Sequence, residues 1–192
     1  MARIPVLDPA EARPDVRKAL ERLPQLAIFG TVANAQGSFV NWLRFGGDCL
    51  DASNFDPVLR ELAILRVATL TPGADYEWTQ HVPILLAVGG TEQQVAALEA
   101  GDVAADVLGA DGRLVVRFTE QVVIDATPDE QTFGEMRERF SVAEIVQLLL
   151  VIGNYMMVGR VMATAQLEVD AVLGDDVLAN VEASRRRASA AG

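Results

Sequence analysis

Two side chains that carry much of protein chemistry are nearly missing from this sequence. Its 192 residues include one cysteine, Cys49, and one histidine, His81. A single cysteine excludes an internal disulfide framework, a CxxC redox pair and a cysteine-built zinc site. Any imidazole chemistry has one candidate. Cations are scarce too: 16 Lys and Arg stand against 27 Asp and Glu, for a net charge of −11. Such a surface repels phosphate backbones, which argues against nucleic acid and anionic membrane as partners. GxGxxG, Walker and GxSxG motifs and spaced Cys/His pairs are absent as well. Nucleotide-binding, serine-hydrolase and zinc-finger readings therefore have no support, and no flavin, haem or other cofactor is indicated.

No segment reads as an address or a membrane span. Met1 to Pro9 is too short and too polar for a signal h-region. The apolar stretch Val142 to Ala165 is interrupted by Glu144, Gln147, Asn154 and Arg160, each costly in lipid, so it reads as a buried helix. Cytoplasmic is the default location on these grounds. With 51% apolar residues the length suits one domain, residues 1–174. The remaining tail, 175–192, holds Arg185-Arg186-Arg187 among small residues and reads as a solvated, partly disordered extension.

What the chain does have is a dense set of helix signals. Asp8-Pro9-Ala10-Glu11, Asp56-Pro57 and Thr127-Pro128-Asp129-Glu130 each place a capping oxygen before a first-turn proline. Thr91-Glu92-Gln93-Gln94 and Ser141-Val142-Ala143-Glu144 are capping boxes. Gly89-Gly90 and Gly101 suit left-handed helix ends. Between these signals the apolar period is helical. It predicts helices over about 9–22, 25–34, 38–52, 57–71, 74–88, 92–100, 112–126, 129–139 and 142–171, an all-α chain. In the fourth, Leu59, Leu62, Ala63, Leu65 and Leu70 leave a wide apolar face with Arg60 and Glu61 beside it. Leu114 to Ile124 is rich in β-branched residues, but no strand partner is evident elsewhere, so helix is preferred.

His81 lies four residues after Glu77, so on one helix the two share a face and can hydrogen-bond. A carboxylate beside an imidazole sets its tautomer and makes a group able to give and take a proton near neutrality. Pro83 lies just beyond and disturbs the hydrogen-bond ladder around Thr79. Tyr76 and Trp78 flank the pair as amphipathic rings that can wall a pocket or anchor the core. The turn Thr71-Pro72-Gly73 folds the preceding helix back alongside. Glu61 then sits about as far from that turn as His81 does, so a second carboxylate can approach the pair. A glutamate on so apolar a helix must be paired or solvated.

Arg60-Glu61-Leu62-Ala63-Ile64-Leu65-Arg66-Val67-Ala68, followed by Ala74-Asp75-Tyr76-Glu77-Trp78-Thr79-Gln80-His81, resembles the carboxymuconolactone decarboxylase family. Phe45-Gly46-Gly47, Asn154-Tyr155-Met156-Met157-Val158-Gly159-Arg160 and Glu168-Val169-Asp170 resemble it as well, so the similarity runs from about residue 25 to 170. The same superfamily holds the alkylhydroperoxidase D type, marked by CxxCxxxH after an upstream glutamate. Laid on this chain, those positions fall on Ala74, Glu77, His81 and Glu61. Both thiols are missing, and a disulfide-cycling peroxidase needs them.

The resemblance implies an alkylhydroperoxidase D-like helical domain that associates into homotrimers or homohexamers. Its pocket would lie near the motif helices and take a small molecule, and a proton-shuttling histidine would work with carboxylate partners. Apolar Met156, Met157, Met162 and Ala163 fit a buried interface or core packing. Where some members carry a histidine, between Thr31 and Gln36, this chain has Asn34, which leaves the substrate open.

The implied catalyst is His81 as acid and base, Glu77 as its orienter, and Glu61 as second base or partner of a protonated group. Tyr76, Trp78 and Tyr155 are pocket candidates. For the cation that an anionic substrate needs, Arg44, Arg66 and Arg160 are available, with Arg66 nearest the motif. Loss of CO₂ from an activated lactone acid would leave an enolate to be protonated at carbon; isomerisation, dehydration and ring closure use the same groups. A metal held by Glu61, Glu77, His81 and Asp75 is disfavoured by the single histidine. The rival class is a ligand-binding or scaffold protein that kept the helical shell without turnover.

Overall fold

The computed structural model describes residues 2–51 and 54–169, and residues 172, 173, 176, 179 and 183 beyond them. After a 3₁₀ turn at Pro9–Glu11, the helices are α1 (Pro14–Leu20), α2 (Ala27–Val32), α3 (Gln36–Cys49), α4 (Pro57–Leu70), α5 (Asp75–Ala87) and α6 (Glu92–Glu99). A second 3₁₀ turn precedes α7 (Gly109–Asp125), α8 (Glu130–Arg139) and α9 (Val142–Ala165). No strand forms among the described residues, so the all-α expectation holds, including over Leu114 to Ile124. The expected tail, with Arg185 to Arg187, lies outside the described residues apart from isolated positions.

The caps do what their chemistry dictates. Asp56 accepts from the Leu59 amide at 2.9 Å, and both capping boxes close reciprocally. Gly89 and Gly90 end α5 as a Schellman turn: the Gly90 amide reaches Leu85 O at 2.8 Å, and Gly89 takes φ +106°.

Three boundaries differ from expectation. The helix predicted over 9–22 breaks in two, because Pro14 forces Arg13 into an extended conformation (ψ 151°). Asp129, not Thr127, caps α8, since its carboxylate takes the Thr132 amide at 2.6 Å and the Gln121 amide group at 2.8 Å. The last helix stops at Ala165 rather than 171, because Gln166 turns left-handed (φ 52°) and the Leu167 amide folds back to Met162 O at 3.2 Å.

Helix α4 is the axis of the fold, packed against α5, α7 and α9. Every residue from Arg60 to Ala68 is buried. It has no solvent face for Arg60 and Glu61 to occupy, contrary to the amphipathic reading, and it behaves as a helix apolar all round with an ion pair inside. Ala63, Ile64 and Val67 join Phe118, Leu148 and Ile152 from α7 and α9. Leu62 and Leu65 join Leu85, Leu98 and Val116 on another side. A third apolar cluster, built from the N-terminal helices, takes Phe39, Tyr76, Val158 and Met162.

Helix α9 is less enclosed than expected. Ile145, Leu148, Ile152, Tyr155 and Met162 face the core, while Val142, Val146, Leu149, Leu150 and Met157 are exposed along the opposite side. By length and composition it is long and apolar enough to cross a membrane, as core helices of soluble proteins also are.

Candidate functional site

The turn at Thr71-Pro72-Gly73, with Gly73 at φ +80°, reverses the chain and lays α5 alongside α4. Across that pair Glu61 Oε2 stands 2.7 Å from His81 Nδ1. The register counted from the turn therefore brings these two together. The other oxygen of Glu61 accepts from Arg60 Nε at 2.8 Å, and Arg60 Nη1 donates to Leu50 O at 2.9 Å. Arg60 and Glu61 are both 0% exposed and His81 is 8% exposed. A carboxylate held by a guanidinium is an acceptor, so His81 Nδ1 carries the hydrogen and Nε2 is the nitrogen left for a reacting molecule.

Glu77 lies on α5 one turn before His81, as expected, but it is not hydrogen-bonded to the imidazole. Its carboxyl is 2% exposed, and neither oxygen has a hydrogen-bond partner among the described residues. It turns towards α9 and the end of α4, where a methyl group added at Gly159 would stand 3.3 Å from Glu77 Oε2 and 3.3 Å from Thr71 Cγ2. Burial first, and then the charge of Glu61, hold this carboxyl well above its ordinary value of 4.5, which favours its protonated form. The orienting contact read onto Glu77 thus belongs to Glu61, whose other oxygen is held by the Arg60 guanidinium.

The aromatic candidates separate. Tyr155 reaches the site from α9: its ring meets that of His81 edge-on, with centroids 4.7 Å apart at 87°. Burial, with Glu61 and Glu77 nearby, pushes the Tyr155 phenol far up, so it serves as a donor and not a base. Tyr76 is buried in the N-terminal cluster, and Trp78 packs against the Leu62, Leu65 and Leu85 cluster. Arg66 is committed elsewhere, donating to Glu120 Oε2 at 2.8 Å and to Thr69 Oγ1 at 3.2 Å.

The residue that sequence reasoning missed is Arg60. Its only signal was an arginine next to a glutamate in a largely apolar helix, a pair that the amphipathic reading places beside the apolar face. Cys49 borders the same group, and burial, helped by Asp48 and opposed by Arg60, raises its thiol to about 11. It stays protonated near neutrality and is a poor nucleophile. Among the described residues, no three His, Cys, Asp or Glu side chains converge as a metal ion would require.

Residues 38–111 match the model of the carboxymuconolactone decarboxylase family. That segment contains α4, the turn and α5, so the resemblance read from the motif holds where the site is built. Two crystal structures of the debrominase Bmp8 share the fold. One, a cysteine-to-alanine variant in complex with 2,3,4-tribromopyrrole, superposes with a TM-score of 0.68 at 16% identity, over 94% of this chain and 98% of that one. The other, the apo protein, gives 0.67 at 18% identity, over 93% and 97%. No curated protein sequence matches the chain.

Proposed function

We propose that the chain is a cofactor-independent acid–base enzyme acting on a small carboxylated or carbonyl-containing substrate, by decarboxylation, isomerisation or related lyase chemistry. The observation that carries this reading is the relay Arg60–Glu61–His81, with 2.8 Å and 2.7 Å contacts to the two oxygens of one carboxylate. Arg60 holds Glu61 in place, Glu61 fixes the imidazole tautomer, and His81 Nε2 takes a proton from carbon or returns one to it. Arg60 is on this account a positioning residue, since it acts through Glu61. Glu77 and Tyr155 supply un-ionised O–H donors, the kind of group that stabilises a developing enolate oxygen inside a dry site.

A dianionic or monoanionic substrate losing CO₂ gives up the carboxylate carbon with its bonding electrons left on the adjacent carbon, spread over the carbonyl. Protonation there by the His81 imidazolium completes the reaction, and water restores the proton. Isomerisation uses the same relay in both directions. The homotrimer or homohexamer is proposed alongside, supported by the exposed apolar residues along α9.

Proton exchange at carbon is the direct test. Small keto acids and unsaturated lactone acids in D₂O should gain deuterium next to the carbonyl, or lose CO₂, when incubated with the protein. His81→Gln should lower that rate by about 10²–10⁴-fold, the usual weight of a general acid or base, with an unchanged circular dichroism melt. A wild-type rate in His81→Gln would sink the reading.

A further inference from the structure

The side of α9 that turns away from the core is a stripe. Val142, Val146, Leu149, Leu150, Gly153 and Met157 fall within an arc of about 100° along about 22 Å of helix. Five of the six are apolar side chains left 38–56% exposed. Along the same line, Arg160 and Thr164 run into a groove of about 310 Å³ whose other wall is Leu70, Val123 and Ile124. Ile124 is itself 60% exposed. Stripe and groove form one surface, with valines at its N-terminal end and a hollow at its C-terminal end.

The described parts of the chain do not cover this surface. After Ala165 the backbone turns left-handed at Gln166, and the Leu173 amide donates to Gln80 Oε1 on α5 at 2.9 Å. Leu173 joins the N-terminal cluster with Val158 and Met162, on another side of α9. Charge points to what can. At a net charge of −11 two copies repel, and they approach most easily where acids are missing. Although 27 residues are acidic, no Asp or Glu lies on the stripe or lines the groove, where Arg160 is the only charge. Area agrees. The five stripe side chains with Ile124 expose on the order of 500 Å² a copy, so a pair buries about 1,000 Å², the size a specific interface has to clear.

We infer that this surface pairs with a second copy of itself, α9 antiparallel to α9, across a twofold axis at Gly153. Counted outward from the axis, Leu149 meets Met157 of the second copy, Val146 meets Arg160 and Val142 meets Thr164. The valines of each copy thus come to the groove of the other, the self-complementarity that a twofold demands. At Gly153 an added Cβ would meet nothing within 4 Å in its own chain, and its absence lets two backbones come close. Other helical glycines are as unobstructed, but this one stands midway along the apolar stripe. The inference rests on the proposed self-association and gives it a face and a symmetry. Twofold pairing needs an even number of copies, which a homohexamer has and a lone homotrimer lacks.

Gly153→Cys is the direct test, because residue 153 meets its own copy at the axis. Mild oxidation should link these chains into dimers that survive SDS, while Glu99→Cys, exposed on α6, should stay unlinked. The native Cys49 is buried and takes no part. Separately, Leu149→Glu combined with Leu150→Glu should halve the mass found by sedimentation equilibrium and weaken pairing by about 100-fold or more, since it sets like charges into an apolar seam. Linking of Gly153→Cys no faster than Glu99→Cys would overturn the inference, and so would an assembly whose mass the two glutamates leave unchanged. A homotrimer indifferent to both changes would overturn it and leave the homotrimer standing. A monomeric wild-type chain would overturn the two together. The cysteine adds no charge, so it decides the matter even if the glutamate pair fails to fold. The His81→Gln rate test is independent of every one of these results.

Discussion

Two buried carboxyl groups share this site, and their surroundings differ in nearly every respect. On the α4 side, Glu61 has a guanidinium on one oxygen and an imidazole on the other. On the α5–α9 side, Glu77 has no hydrogen-bond partner among the described residues and faces a glycine and a methyl group. Burial is almost equal; what separates them is the cation beside Glu61, which Glu77 lacks. With Glu77 protonated, the charges of Arg60 and Glu61 cancel, and the interior holds two carboxyl groups without holding a net charge.

The most forceful way to break this contrast is to take the charge from the wired side. Glu61→Gln leaves Arg60 buried without its counter-ion, and the expected loss is about 3–5 kcal/mol of stability, read from urea unfolding midpoints. A loss under ~1 kcal/mol would mean that Arg60 finds another partner and that the two sides differ less than their geometry implies.

Cys49 sharpens the contrast at the next level. It borders Arg60, yet its thiol is raised from 9.0 to about 11, because burial outweighs the guanidinium. Iodoacetamide at pH 8 should alkylate the folded chain about 100-fold more slowly than the urea-unfolded chain, the ratio of thiolate present at those two values. Equal rates would show that Arg60 has charge to spare, and so that Glu61 does not consume it.

The gentlest test acts on the unwired side and should have the opposite sign to the first. Glu77 is held above its ordinary value of 4.5 in the folded chain. Below that pH it is protonated whether folded or not and costs nothing. As pH rises, the unfolded chain gains by ionising it while the folded chain does not, so wild-type stability falls until the folded carboxyl also titrates. Glu77→Gln removes that penalty. Its melting temperature should exceed wild type by about 2–4 °C at pH 8, the shift that ~1 kcal/mol makes in a chain of this length, and match it at pH 4. A lower melting temperature at pH 8 would reveal a bonded, ionised Glu77.

The fold was largely legible in the residues because its signals are local. A capping oxygen, a first-turn proline and a glycine at a left-handed end each act within a few positions. The Glu61–His81 contact was legible for a related reason: one short turn sets the register of two adjacent helices. Arg60 escaped because neighbouring residues on a helix point about 100° apart, so an Arg-Glu pair normally reads as a solvated edge. Only the packing of α5, α7 and α9 around α4 turns that edge inward. The orientation of Glu77 escaped because it depends on the space beside Gly159, far along the chain. The open face of α9 escaped because an apolar period does not say whether a second layer covers both sides.

The enclosure of α4 on every side has a consequence for motion. Its amides have no neighbouring element thin enough to open alone, so they should exchange with solvent deuterium only when the whole molecule unfolds. Its charged pair is then fixed for as long as the chain stays folded, and no breathing of that helix admits water or substrate to Glu61.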